Sequence, residues 1–410
     1  MKKNIYIILL LGLSSFMSAQ PMDTLYKIAV EQNTELRTLH LEYEAALTKA
    51  NQVNELPNPQ VGVGLPLLQT ETRVGSQIFS VSASQMFPWF GTLKAKEDIA
   101  ITMAKSKYER MAVLKLDLQY KIRKPYYKLV EIEKLQLIFK ENIRLYKSLE
   151  QVALAKVETG KAIASDVLLV HLKIQDLENK IALLENQKLG LYALINEVLN
   201  RKQNEKIEVN KSLDEIANFK LDKNETRKKI ANNHPIMSQL NWLIETSKEE
   251  QNLNALLRKP TFGLGLDYTW IQKRNDIDPS DNGKDILIPK VSITIPLFTQ
   301  KYDAKDREED LKQQSLLSKK ESLVNKYMYQ IERYEVNYQA AILNLGLYKK
   351  QIQVTQSAID ILLSNYSSKG IRFDEILNLQ NQLLKYKLLK LAAIYETHLA
   401  KIELEKIVGF

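Results

Sequence analysis

Between Thr261 and Ile271 apolar residues alternate with small or polar ones. Phe262, Leu264, Leu266, Tyr268 and Trp270 fall on one face, and Gly263, Gly265, Asp267 and Thr269 on the other. A period of two predicts a β-strand with one apolar face. Val291, Ile293 and Ile295 oppose Ser292 and Thr294 in the same way. So do Val61, Val63 and Leu65 against Gly62 and Gly64, and Phe79, Val81 and Ala83 against Ser80, Ser82 and Ser84. Strands are expected at about 60–68, 78–87, 261–271 and 287–297. The pattern fits a half-buried soluble sheet or the wall of a membrane barrel, apolar outside and polar inside. Four strands are too few to close a barrel, and an open edge in lipid leaves backbone groups unsatisfied. Membrane-spanning strands here would therefore have to be pooled from several chains.

Elsewhere the pattern is helical. It barely breaks over 92–158 and 302–369, each roughly 100 Å of helix at about 1.5 Å per residue. Shorter helices are expected at 33–56, 165–199, 234–257 and 374–407, with a polar linker or girdle over 201–227. Val170, Ile174, Leu177, Ile181, Leu184, Leu191, Ile195 and Val198 alternate four-three spacing, interrupted only at Lys188. Leu135, Ile138, Leu145, Leu149 and Val152 form a matching ladder with Asn142 at one position. Both read as coiled-coil packing seams. Pro125 falls inside the first long helix and is expected to kink it.

The chain also repeats itself. "LPNPQVGVGL" from Leu56 matches "LRKPTFGLGL" from Leu257, and the same offset places Asn33 on His234. Further on, Pro88 and Phe90 match Pro296 and Phe298, and Gly160 matches Gly370. The order of landmarks is the same in both halves, which indicates an internal duplication with repeats at 20–200 and 228–410.

The N-terminus adds export. Lys2 and Lys3 precede a short apolar run, and Ser18-Ala19-Gln20 offers a cleavage site, so 1–19 reads as a signal peptide. No later apolar run is long enough for a membrane helix. There is no cysteine among 410 residues, which removes disulfides, thiolate metal sites and a lipid-bearing N-terminal cysteine. The net charge of +9 is spread over 26% charged residues of both signs, which indicates solvated helix faces and no nucleic-acid partner. The four histidines are scattered, and no hydrolase, phosphate-binding or metalloprotease motif occurs. No enzyme activity, cofactor or metal site is expected.

With duplicated strands, long helices and an export signal together, the sequence resembles the TolC family of outer-membrane efflux proteins over essentially the whole mature chain. The resemblance implies a mainly α fold with β. Long antiparallel coiled-coil helices would form a periplasmic tunnel, and each chain would give four strands to a trimeric twelve-stranded outer-membrane barrel. It implies a homotrimer in outer-membrane lipid, served by a periplasmic adaptor and an inner-membrane pump of the RND or ABC type. The turns Thr159-Gly160-Lys161 and Lys369-Gly370-Ile371 resemble the tips that receive the adaptor. Asp166 and Arg372 stand where the family links its pore shut, and Glu375 and Asn378 where two lumenal aspartates are expected. The plainer reading of Asp166 is a helix cap. Pro88, Trp89 and Pro296 mark the joints between strands and long helices, with Thr92 as a cap. The alternative is a periplasmic coiled-coil scaffold or adaptor without a barrel.

Overall fold

The computed structural model describes residues 22–68, 70–160, 163–210, 212–216, 221–366 and 373–409. The expected signal peptide, together with Lys161, Lys369, Gly370, Ile371 and Arg372, lies outside the described residues. In chain order the elements are α1 (Met22–Gln32), α2 (Thr34–Val53), β1 (Gln60–Gly64), β2 (Glu71–Thr72), β3 (Gly75–Phe87), α3 (Thr92–Glu158) and α4 (Ala164–Val198). Then come α5 (Lys223–Asn233), α6 (Pro235–Leu257), β4 (Thr261–Gln272), β5 (Ile286–Thr294), α7 (Gln300–Tyr366) and α8 (Phe373–Val408). No helix among the described residues is long and apolar enough to cross a membrane.

The chain divides into two compact units. One comprises Glu35–Val113 and Arg227–Lys326 and carries all the strands. They form one antiparallel sheet in the order β1-β3-β4-β5, with β2 a short hairpin arm on β3. Ser82 stands opposite Gly62 on one side and Asp267 on the other, and Leu266 stands opposite Ala83 and Pro289. Pro289 is tolerated because β5 is an edge strand. The helical part packs closely. Buried positions on α3 here include Ala95, Ala100, Ala104 and Ser106, side chains short enough to let helices approach. Asn254 donates to the Tyr302 carbonyl at 2.8 Å and to Asp306 at 2.7 Å, tying α6 to α7. Ser247 donates to the buried Glu309 at 2.7 Å. Burial alone would raise the Glu309 pKa, but Lys305, Lys312 and Ser247 outweigh it and hold the carboxylate below its ordinary value.

The other unit comprises Leu114–Thr226, Tyr327–Phe410 and the chain up to Thr34. Its core joins Phe139, Ile143, Tyr146 and Ala153 of α3 to Val170, Ile174 and Leu177 of α4 and Phe373, Leu377 and Leu384 of α8. Tyr146 reaches Asn381 at 3.1 Å, and burial pushes its phenol up to about 12. The α4 seam packs as its spacing predicts, and Lys188 is buried within it. The α3 ladder does so in part: Ile138 and Leu149 pack against this core and Asn142 is buried, while Leu145 and Val152 are exposed. The most deeply buried stripe runs one residue later, through Gln136, Phe139, Ile143, Tyr146 and Ala153. Pro125 does not end α3, whose buried Ile122, Tyr126 and Leu129 flank it.

Two short helices correct the expected boundaries. α1 precedes Asn33, whose side chain donates to the Val198 carbonyl at 3.0 Å. α5 falls partly in the segment read as linker. Asp222 starts it by accepting the amides of Asn224 and Glu225 at 2.8 and 3.0 Å. The signal was present as Asp222-Lys-Asn-Glu225, a capping box, but only Thr226 and Ile230 of α5 are buried and it carries no apolar stripe. The stretch before it is pinned to the same unit. Ile207 and Leu213 are buried, and Asn196 donates to the Glu205 carbonyl at 2.7 Å.

Candidate functional site

The sheet has two chemically distinct faces. The register sets Val61, Ala83, Leu266 and Pro289 in one row and Val63, Val81, Tyr268 and Leu287 in the next row of the same face. On the opposite face Gly62, Ser82, Asp267 and Ile288 form one row, and Gln60, Ser84, Gly265 and Lys290 the next. The small face is crowded. A Cβ on Gly62 would lie 2.8 Å from the Ser82 hydroxyl oxygen, one on Gly64 2.6 Å from that of Ser80, and one on Gly263 would meet Ser292 and Met86. Side chains converge on the inside of a curved sheet, so glycine and serine there permit the curvature. The apolar face is open: Val63 is 69% and Val291 75% exposed. Both outer strands, β1 and β5, are paired on one side only.

Aromatic pairs close the apolar face at both ends. Phe79 stacks on Trp270 at 4.1 Å, and Tyr268 meets the same indole edge-on at 4.2 Å. At the other end Trp89 stacks on Phe262 at 5.8 Å. Phe79 and Phe87 pair with Trp270 and Phe262, so the two ends lie about 26 Å apart at about 3.3 Å per residue. Beyond the Trp270 end, Arg274 pairs with Asp276 at 2.6 Å and donates to the Thr72 carbonyl at 3.4 Å. The Gly283 amide donates to the Val74 carbonyl at 2.7 Å. These bonds tie the β4–β5 loop to the β2–β3 arm.

At the joint, Pro88 and Trp89 are half-buried and follow directly on β3. Gly91 has φ +86°, a conformation glycine adopts without strain, and its carbonyl accepts from Ala95 at 2.8 Å as α3 begins. Thr92 does not cap the helix: its hydroxyl is buried without a hydrogen-bond partner. Pro296 lies half-buried between β5 and α7, and Phe90 and Phe298 are exposed at the two joints.

At the far end of α3, Gly160 has φ +68° and donates to the Val157 carbonyl at 3.0 Å. Thr159 bonds back to the Ala155 and Lys156 carbonyls at 3.2 and 3.1 Å. The chain re-enters helix with Ile163 as N-cap and no side-chain cap bond, so Asp166 is not the cap. It sits in the first turn of α4, where a carboxylate complements the helix dipole. Asp374 and Glu375 occupy the first turn of α8, and Glu375 and Asn378 are exposed one turn apart. Val170 and Phe373 share one core cluster, which brings these acidic first turns to the same end of the unit. Sequence reading missed one exposed feature. On α7, Tyr329, Val336 and Leu343, then Leu347, Val354 and Ile361, recur every seven residues and are all exposed. The heptad was visible in the sequence; its lack of cover was not. Among the described residues no three His, Asp or Glu side chains are placed to hold a metal ion.

No family model matches the chain, and no curated protein matches it. Solved structures do. The outer-membrane channel OprN superposes with a TM-score of 0.72 at 15% identity, covering 95% of this chain and 89% of that one. The outer membrane protein VceC from Vibrio cholerae superposes at 0.71 and 12% identity, covering 95% and 96%. The MtrE outer membrane channel of Neisseria gonorrhoeae superposes at 0.71 and 15% identity, covering 95% and 88%. The fold is therefore that of outer-membrane channels. It is the mainly helical architecture with a small antiparallel sheet that the resemblance to the TolC family implies.

Proposed function

We propose that the chain is an outer-membrane exit duct of a tripartite efflux pump or type I secretion system. Three copies pool their sheets into a twelve-stranded barrel, and their helices extend as a tunnel into the periplasm. The observation that carries this reading is the apolar sheet face bounded by aromatic pairs about 26 Å apart, which matches the roughly 25 Å apolar band of membrane barrels. The single-sided edges of β1 and β5 support pooling, since lipid supplies no hydrogen bonds to an open edge. The exposed heptad stripe of α7 supports helix pairing between copies.

On this reading Pro88, Trp89 and Pro296 form the barrel–tunnel joints, with Trp89 at headgroup level. Thr159, Gly160 and Lys161, with Lys369, Gly370 and Ile371, form the tips that receive a periplasmic adaptor. Asp166, Arg372, Glu375 and Asn378 form the periplasmic gate. The internal duplication is supported by Asn33 and His234, each of which stands at the break between a short helix and a longer one. The likeness to channels supports a transport role without catalysis. The test is fractionation. The protein is expected in the outer membrane, as a species that migrates as a trimer before boiling and as a monomer after. Recovery as a soluble periplasmic monomer would leave the scaffold reading in its place.

A further inference from the structure

Only two charged side chains occur within β1, β3, β4 and β5: Asp267 and Lys290. Both lie on the small face, and they form an ion pair diagonally across β4 and β5. Diagonal neighbours on one sheet face are within reach of long side chains. Lys290 stands directly opposite Gly265. With no side chain there, a Cβ would already lie 3.6 Å from the Lys290 Cβ, so the glycine leaves the lysine stem room to lean toward Asp267. Around the pair the face is uncharged, with Ser80, Ser82, Ser84, Thr269 and Ser292 and with Ile288 directly opposite Asp267.

We propose that the Asp267–Lys290 pair sets the ion selectivity of the barrel by cancelling its own charge. The proposal rests on the duct reading, in which the small face lines the lumen. Repeated around the barrel, the pairs make a ring holding as many carboxylates as ammonium groups, set among uncharged side chains. Rings of unbalanced charge make pores selective for one sign of ion, and low-dielectric walls focus their field. A balanced ring does not discriminate, so the barrel admits cargo of either charge. A carboxylate or ammonium left alone would turn the same wall into a filter.

The test is the reversal potential of purified wild-type and variant channels in planar bilayers across a KCl gradient. Lys290→Gln is expected to shift the K⁺/Cl⁻ permeability ratio toward K⁺ by at least about twofold, and Asp267→Asn toward Cl⁻ by a similar factor. The double variant returns to the wild-type value. A pair that only held the strands together would change assembly and leave permselectivity alone. Single variants that conduct normally with unshifted ratios, or shifts of one sign in both, overturn the proposal. Wild-type protein that forms no channel removes the duct reading beneath it, which an unshifted but conducting variant does not. Should the single variants fail to assemble, Ser82→Cys replaces them. Ser82 faces Asp267 directly, and the chain has no other cysteine. Labelled after insertion, it must move the ratio toward Cl⁻ with a trimethylammonium methanethiosulfonate and toward K⁺ with a sulfonate one. No response to either reagent overturns the proposal.

Discussion

Lys188 interrupts an otherwise apolar seam on α4, and the structure explains why it is tolerated. Its side chain is 6% exposed, and its ammonium reaches Glu133 at 2.5 Å, Gln136 at 2.7 Å and Glu185 at 3.0 Å. Burial alone would depress its pKa, but Glu133 and Glu185 more than offset this and raise it. A raised lysine pKa contributes stability that is present below the unfolded value near 10.4 and is lost as pH rises through the folded one. Lys188→Ala strips the pair from a buried position and should cost about 3 kcal/mol. Thermal denaturation should show that loss unchanged between pH 6 and 9. The interruption at Lys188 was legible in the sequence, but its partners were not. Glu133 and Gln136 lie on α3, and pairing them requires the register of two helices. The same gap explains why the predicted α3 ladder packs only in part. Two adjacent stripes of α3 both carry four-three spacing, and periodicity cannot say which one a neighbouring helix covers.

At the level of elements, alternation found the strands because a two-faced sheet imposes it at every residue. The ends were less legible. β1 stops at Gly64, two residues before Pro66, while β3 starts early at Gly75, where the arm to β2 extends the ladder. α1 and α5 escaped because each buries only two residues, too few to mark a period. The two faces of the sheet should respond oppositely to charge. Leu266→Arg, near mid-strand on the apolar face, should cost about 2–4 kcal/mol per chain if that face meets lipid. Ser84→Arg on the small face, across from Gly265, should be tolerated. Yield of the boiling-sensitive trimer from outer membranes reads both. Equal loss from the two variants would remove the inside–outside assignment.

For the whole molecule, order was more legible than assembly. Apart from α1, α5 and the short β2, the described helices and strands follow one another as the sequence predicts, because local periodicity encodes them. What covers Leu343 at 74% exposure, or Val354 at 70%, is not written in one chain. The proposed gate is the least legible part. Asp166 and Glu375 stand in the first turns of two helices that share a core, but no local pattern distinguishes a latch from a dipole-complementing acid. A latch has a distinct consequence: Asp166→Ala and Arg372→Ala should each raise single-channel conductance in planar bilayers. Unchanged conductance in both would leave Asp166 a helix-start residue only.

Pro289 bears on a different stage of the protein's life. On the duct reading, a chain with two sheet edges paired on one side only travels as a single copy before it meets others, and such edges template the addition of any passing strand. The proline leaves β5 one amide donor short in mid-strand. An edge strand that carries a proline is a poorer template for chance partners than an unbroken one, which guards against fibrils and misregistered pairs.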